Sequence, residues 1–413
     1  MGKNERLILD DFLVLKRVDL DVKRINIIIG PQASGKSILA KLIYFFREII
    51  NEKLLQSVAN GEDKEALLQQ IELLFNQYFP PYTWKNRAFS IEYICYDLRI
   101  KINKDSRKKR ISIECNNRFL WLYDILRSKY EKYESNREFY FYHNLISDDK
   151  EVGKYFNIAI FIPAGRSFFV NIQKNIFSLL SKNIDIDPLL KSFGSYYELI
   201  KKVYNDFMWE RREFLDINLY KRLINLIEKI LDGKYVFEDR QDWIQKDSKK
   251  LNIAHTSSGQ QESLPMLLTL LVSPILFYNR NIIYFIEEPE SHLFPTSQRD
   301  IVCIIAMIYN LRNSSVFLTT HSPYILTAVN NLILARDVLN DKNKKQVYKL
   351  VDRDTLINFE DVAAYTIENA CLKTIIDNKI GLIGTNIIDS VSDDFSKTFD
   401  KLLELSKDYD RKM

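Results

Sequence analysis

The sequence predicts an α/β fold, a parallel sheet flanked by helices, and three observations carry that expectation. The apolar run Ile25-Asn26-Ile27-Ile28-Ile29 meets a glycine-containing loop and then the helical pattern Ile38-Leu39-Ala40-Lys41-Leu42. Two later apolar runs, Ile282 to Ile286 and Ser315 to Thr319, alternate with helical patterns at Leu264 to Leu276 and Thr296 to Tyr309. Short runs that swap apolar and polar residues at every position read as antiparallel strands beside that core.

Taken in chain order, residues 6 to 22 predict two short strands joined by a turn at Asp10-Asp11. Residues 38 to 79 predict helices, broken at Asn60-Gly61-Glu62-Asp63 and ended by Pro80-Pro81. From 88 to 114, Phe89, Ile91, Tyr93 and Cys95, then Leu98, Ile100 and Ile102, predict a β-hairpin whose tip, Arg107-Lys108-Lys109-Arg110, is strongly basic. Ile158 to Ile162 predicts a further strand, ending at Pro163-Ala164-Gly165-Arg166. From about 170 to 232 the pattern is helical and lysine-rich, with breaks expected at Pro188 and Gly194.

The 413 residues allow one large domain or two to three ordinary ones, and an apolar fraction of 46% excludes wholesale disorder. A net charge of +4 does not by itself point to nucleic acid. Cys95, Cys115, Cys303 and Cys371 show no metal spacing and read as reduced, mostly buried thiols. Neither a signal-like start nor a run of about 20 uncharged apolar residues is present, so a cytoplasmic protein without a membrane partner is expected.

The loop Gly30-Pro31-Gln32-Ala33-Ser34-Gly35-Lys36-Ser37 has the GxxxxGK[ST] pattern between a buried strand and a helix. Its glycines let backbone N–H groups converge on phosphate oxygens at a helix N-terminus. Lys36 can reach the β- and γ-phosphates and the Ser37 hydroxyl can ligate Mg²⁺. A nucleoside triphosphate with Mg²⁺ is therefore the expected ligand pair. The strand Ile282 to Ile286 ends in Glu287-Glu288, which puts two carboxylates at the C-terminal edge of the sheet, where open α/β folds bind ligands. Glu287 is expected to hold Mg²⁺, and Glu288 to orient or deprotonate the attacking water. Ser258-Gly259-Gln260 opens a helix shortly before that strand and suits a γ-phosphate. His321 follows the next strand and can hydrogen-bond the γ-phosphate or the water.

These elements, in this order, resemble the heads of ABC-type ATPases, within the SMC-like and OLD-like branch of AAA ATPases. Gly30 to Ser37 matches Walker A, Ser257 to Gln261 the signature, Ile282 to Glu288 Walker B with its catalytic glutamate, and His321 the switch histidine. Glu290-Ser291-His292-Leu293-Phe294 stands at the D-loop. The resemblance covers about residues 6 to 46 and 156 to 330. It implies an ABC-ATPase head with a mixed sheet, an antiparallel β subdomain and helical insertions. The implied organisation is one discontinuous head over 1–413: strands and Walker A in 1–46, a helical insertion in 47–84, a hairpin and linker in 85–155, a core strand in 156–169, a helical subdomain in 170–250, signature to switch histidine in 251–335, and an α/β tail in 336–413. The signature departs from the family pattern with Gln260 in place of glycine and Ser257 in place of leucine, and Glu287 replaces the usual aspartate. Arg166 is expected near the phosphates or a partner.

The resemblance further implies an ATP sandwich, a homodimer or multiple of one in which the signature of one protomer covers ATP held by another. Lys36 and Ser258 lie 222 residues apart, a longer gap than transporter heads have. The chain looks like the ATPase subunits of antiphage systems such as PARIS and Septu, which implies a separate effector nuclease of Toprim or HNH type and a phage protein as trigger. The alternative is a SMC-like or RecF-like DNA-binding ATPase of repair or replication, with Arg107, Lys108, Lys109 and Arg110 on phosphates. Asp352-Arg353-Asp354 is the nearest approach to a nuclease site in the tail.

Overall fold

In the computed structural model the described residues are 5–108, 110–132, 149–172, 186–207, 217–278, 280–311, 314–384 and 396–402. Strands β1 (Glu5–Phe12), β2 (Leu15–Asp21) and β3 (Ile25–Ile29) open the chain. Helix α1 (Lys36–Glu48) runs through a π-helical turn, Ile49–Lys53, into α2 (Leu54–Ala59), and α3 (Lys64–Tyr78) follows. A meander of β4 (Phe89–Cys95), β5 (Leu98–Lys104) and β6 (Ser112–Cys115) precedes α4 (Asn117–Glu131) and the short α5 (Lys150–Gly153). Then come β7 (Ile158–Ile162), α6 (Ser167–Ile172), α7 (Pro188–Phe207) and α8 (Ile217–Leu231). Strands β8 (Lys234–Glu238), β9 (Gln241–Lys246) and β10 (Lys249–Asn252) lead to α9 (Ser258–Leu276). The series closes with β11 (Ile282–Glu287), α10 (Pro295–Asn310), β12 (Ser315–Thr320), α11 (Pro323–Asp337), α12 (Lys344–Leu350), β13 (Val362–Glu368) and β14 (Cys371–Thr374).

Eleven strands share one mixed sheet in the order β6-β5-β4-β1-β2-β14-β13-β3-β12-β11-β7. The block β13-β3-β12-β11-β7 is parallel, and β1, β2 and β4–β6 add an antiparallel wing. Alternate residues of the parallel strands fall into two cores. Ile28, Phe161, Phe285, Phe317 and Tyr365 join the helices α1–α4, while Ile27, Ile160, Ile162, Tyr284, Ile286 and Leu318 join α7–α11. Burial on both faces explains why these strands read as unbroken apolar runs. Helix α9 carries Pro265 and Pro274 inside it. Each costs about 3 kcal/mol, which is offset by burying several leucines at about 1.5–3 kcal/mol each.

Several expectations needed correction. The first turn lies at Leu13-Val14, with Phe12 paired to Leu15, rather than at Asp10-Asp11. Phe12 packs on Phe75, Phe79 and Phe89, and this contact carries the strand two residues further. The basic tip is the turn of the β5–β6 hairpin, and β4 adds a third antiparallel strand that makes the region a meander. Gly194 does not break a helix but sits inside α7, where a Cβ would come within 2.8 Å of the Phe169 ring. The expected helical stretch 170–250 contains the three-stranded sheet β8–β10. Its first hairpin turns on Asp239-Arg240, both with positive φ, and so lacks the Asn-Gly signal that marks such turns. The tail supplies β13, which inserts beside β3 in the main sheet.

The four cysteines are free, as expected, but among them Cys95 alone is buried and the other three are half-buried. Helix α1 is tied to β1 by a buried ion pair between Arg47 and Glu5, with Arg47 Nε donating to Glu5 Oε1 at 2.9 Å and the Tyr93 hydroxyl donating to the same carboxylate. Removing one partner strands a buried charge. Arg47→Ala is therefore expected to lower unfolding stability by about 3–5 kcal/mol, read as a drop in the urea midpoint, with a smaller loss when Glu5 is neutralised in the same chain.

Candidate functional site

The phosphate-type loop leaves the C-terminal end of β3 and enters α1 at Lys36. Gly35 has φ 104°, and a Cβ there would lie 2.8 Å from Leu15 Cδ2, so both conformation and space demand glycine. Ala33 is also left-handed, at φ 57°. The backbone N–H groups of Ala33, Ser34 and Gly35 have no partner among the described residues. Lys36 is buried, and its Nζ donates to the carbonyls of Gly30 at 2.9 Å and Pro31 at 2.8 Å. Burial pulls its ammonium below the usual lysine value, against Glu288 and Glu290, which raise it. Ser37, Pro31 and Gln32 are exposed on the loop. A cleft of about 550 Å³, lined by Asp11, Val14, Leu15 and Arg87, adjoins the Gly35 contact.

Register brings the acids to the same edge. Glu287 on β11 pairs with Thr319 on β12, and Thr320 pairs with Ile29, the residue before Gly30. One oxygen of Glu287 accepts from the Ala164 N–H at 3.2 Å, and Oε1 is buried with no partner. Glu290 Oε1 accepts from the His321 N–H at 2.6 Å, and Oε2 is likewise unpartnered. The buried hydroxyls of Ser34 and Thr319 have no partner either, so that all four of these atoms are unpartnered among the described residues. Four unsatisfied polar atoms around one loop are what a phosphate and its hydrated cation would satisfy, since each costs about 1–3 kcal/mol if left bare. Among the described residues there is no cluster of three or more His, Cys, Asp or Glu side chains that could cage a metal ion. Mg²⁺ binds through one or two protein oxygens together with substrate phosphates, and the exposed Ser37 hydroxyl and the buried Glu287 Oε1 are donors of that type.

Glu288 adopts φ 44°, an uncommon conformation for a side chain of its size. Its N–H donates to the Thr319 carbonyl at 2.9 Å, and its carboxylate takes the Ser291 hydroxyl at 3.1 Å. His321 Nε2 lies 3.3 Å from Glu288 Oε1, while Nδ1 lies 3.4 Å from Lys36 Nζ. A neutral imidazole with its hydrogen on Nε2 satisfies both contacts. The structure thus gathers Gly30 to Ser37, Glu287, Glu288 and His321 at the carboxyl ends of β3, β11 and β12.

Arg166 is not at the phosphates. It is fully buried, contrary to the sequence expectation, and its guanidinium donates to the carbonyls of Pro163 at 2.8 Å, Glu262 at 2.9 Å, Glu287 at 2.7 Å and Glu288 at 3.1 Å. The Glu262 carboxylate pairs with it at 3.4 Å and accepts the N–H groups of Arg166 and Ser167. Burial raises the Glu262 carboxyl, but Arg166 and these N–H groups outweigh it and hold it below the usual value. Glu262, Glu290 and Thr319 were missed as site residues. Glu290 had a signal in its proximity to the acidic pair, whereas Glu262 and Thr319 became legible only through contacts.

At the signature, Ser257 caps α9 in a reciprocal box with Gln260, whose Nε2 donates to the Leu231 carbonyl at 2.5 Å. The glutamine that departs from the family pattern therefore anchors α9 to the end of α8. Ser258 is exposed in the first turn, and Gly259 lets the His292 carbonyl approach to 2.8 Å from where a Cβ would stand. Neither residue makes a polar contact with the 30–37 loop among the described residues. Of the basic tip, Arg107, Lys108 and Arg110 are exposed beside β6, at the far end of the sheet from the acids; Lys109 lies outside the described residues. Asp352 and Asp354 form ion pairs with Arg222, and Asp352 and Arg222 line a cavity of about 580 Å³ together with Arg299 and Cys303. No described helix is long and apolar enough to cross a membrane.

Comparison with solved structures finds the SMC head domain from Thermotoga maritima at 11% identity, covering 91% of this chain and 99% of that one, with a TM-score of 0.39. An Smc head with an extended coiled coil, bound to the C-terminal domain of ScpA and derived from Pyrococcus furiosus, matches at 14% identity over 95% of this chain and 100% of that one, with a TM-score of 0.40. The recombination mediator protein RecF matches at 14% identity, over 90% and 98%, with a TM-score of 0.33. No curated protein matches the chain in sequence. Residues 25–327 match the family model described as "AAA domain, putative AbiEii toxin, Type IV TA system". That span runs from β3 and the phosphate loop through the acidic strand to His321, and the chain belongs to this family of AAA-domain ATPases.

Proposed function

We propose that the chain hydrolyses ATP between two copies of itself and serves as the regulatory ATPase of a bacterial antiphage system, controlling a separate effector nuclease or toxin in response to a phage trigger. The observation that carries the ATPase site is the set Lys36, Glu287, Glu288 and His321 converging on unsatisfied buried oxygens. Lys36 moves from the carbonyls of Gly30 and Pro31 onto the β- and γ-phosphates. Ser37 and Glu287 would hold Mg²⁺, which when bound would neutralise charge on the phosphates. Glu288 orients the attacking water and accepts its proton. His321 fixes that carboxylate through Nε2 and keeps Nδ1 toward Lys36. Gly30 to Gly35 contribute backbone N–H groups to the phosphates.

Two observations support a second copy over the site. Ser258 is exposed on the first turn of α9 with Gly259 and Gln260 set behind it, so its hydroxyl is available to a γ-phosphate held elsewhere. Phe294 and Tyr324, close in sequence to the catalytic acids and His321, are 73% and 54% exposed, as befits surface covered on assembly. The toxin–antitoxin wording in the family's description supports a regulatory defence role rather than transport. The alternative, an ATPase acting on DNA in repair or replication, draws on the exposed Arg107, Lys108 and Arg110; salt-dependent duplex binding lost on changing them to glutamate would favour it.

Glu288→Gln is expected to bind ATP normally, to slow hydrolysis by about 10²–10⁴-fold, and to accumulate a dimer seen by light scattering with ATP and Mg²⁺. An unchanged turnover rate would overturn the assignment. Arg166→Lys keeps the charge but cannot reach four carbonyls, so kcat is expected to fall by about 10²-fold while KM for ATP changes little, measured in steady-state hydrolysis.

A further inference from the structure

Strand β7 ends the eleven-stranded sheet, and its outer edge lines a cavity of about 420 Å³. The Ile158 N–H donates to the Asn281 carbonyl at 2.9 Å, so the two-residue repeat of a parallel ladder turns Ile158, Ile160 and Ile162 toward β11. Asn157, Ala159 and Phe161 direct their N–H and C=O groups the other way. Asn51, on the π-helical turn, meets the first of these, its Oδ1 accepting the Asn157 N–H at 3.1 Å. Ala159 and Phe161 have no backbone partner on that side among the described residues. The strand's sequence, Ile-Ala-Ile-Phe-Ile, contains none of the charges or prolines that usually protect a sheet edge from pairing.

The walls of the cavity add a second kind of recognition. Phe156, Phe193 and Phe277 supply apolar surface, and the buried Asn51 Nδ2 is a donor with no partner among the described residues. Glu52 lines the same cavity; burial and then the neighbouring Glu48 raise its carboxyl above the ordinary value, and Lys53 opposes them. The Glu52 side chain is exposed at the rim of the cavity, where a cationic side chain can reach it. A π-helical turn at such a place often marks a functional site.

We propose that the β7 edge is a docking site for an extended peptide of a partner protein, which adds as a strand along Ala159 and Phe161, seats an apolar side chain among Phe156, Phe193 and Phe277, and offers a lysine or arginine to Glu52. Backbone donors and acceptors repeating at roughly 6.6 Å along the edge match a peptide main chain.

The test is to pan a phage-displayed random peptide library on the full chain and counter-select on Ala159→Pro. Proline there removes an outward N–H that the β7–β11 ladder does not use, and its ring blocks the incoming strand. Enriched sequences should combine an apolar residue with a nearby lysine or arginine. Their synthetic copies should bind the wild-type chain at least about tenfold more tightly than Ala159→Pro or Glu52→Lys. Methylating alternate peptide amides should abolish binding. Hydrogen exchange should show the Ala159 and Phe161 amides slowed by peptide, with Ile160 unchanged. ATP binding, followed on every variant, reports that the fold is intact. No enrichment, equal binding to wild type and Ala159→Pro, protection elsewhere on the chain, or a peptide-free dimer that Ala159→Pro converts to monomer would each overturn the proposal.

Discussion

The guanidinium of Arg166 bonds segments that are far apart in the chain into one rigid unit. It holds the carbonyls of Pro163 after β7, of Glu262 on α9, and of Glu287 and Glu288 after β11. A buried guanidinium costs several kcal/mol to desolvate, and burial does pull this one below its ordinary pKa. The cost is met because every side of the planar group finds a carbonyl or carboxylate oxygen. Because two of those carbonyls belong to the acidic pair, this contact also fixes the backbone from which both carboxylates project.

Strain is concentrated at the same place. Glu288 and His292 have φ 44° and 61°, conformations that side chains of their size seldom adopt and that cost of order 1–3 kcal/mol each. Arg166 below, the Thr319 carbonyl alongside and the Glu290–His321 contact ahead hold the loop in that shape. Glu290 extends the restraint to the chain after β12, and Ser322 extends it again to α10 by donating to Gln298 Oε1 at 2.6 Å. The acids and the histidine thus belong to one hydrogen-bonded frame instead of three independent loops.

Helix α9 is attached to this frame from two directions. Glu262 joins it to Arg166, and Gln260 joins it to the end of α8 through the Leu231 carbonyl. Gly259 brings the His292 carbonyl against its first turn. Ser258 is thereby linked to the Glu288 backbone through a few short, directional contacts in a close-packed interior.

The amino-acid order alone determined the alternation of apolar runs and helices, the phosphate loop, the paired acids and the histidine, because each is a local pattern: period two or 3.6, a glycine where φ must be positive, a carboxylate at the end of a buried run. Strand β7 and the boundaries of β11 and β12 were legible to within a residue or two for the same reason. What the tertiary structure decided was whatever depends on partners distant in sequence. The place of β13 beside β3, the turn shifted by Phe12, and the hairpin at Asp239-Arg240 all follow from packing or from left-handed residues with no glycine to mark them. Arg166 is the clearest case: its sequence neighbourhood, beside the phosphate-binding elements, suggested a ligand contact, whereas complete burial among four carbonyls makes it the support of the acids. A side chain's charge is written in the sequence, but which oxygens surround it is settled only when the strands meet.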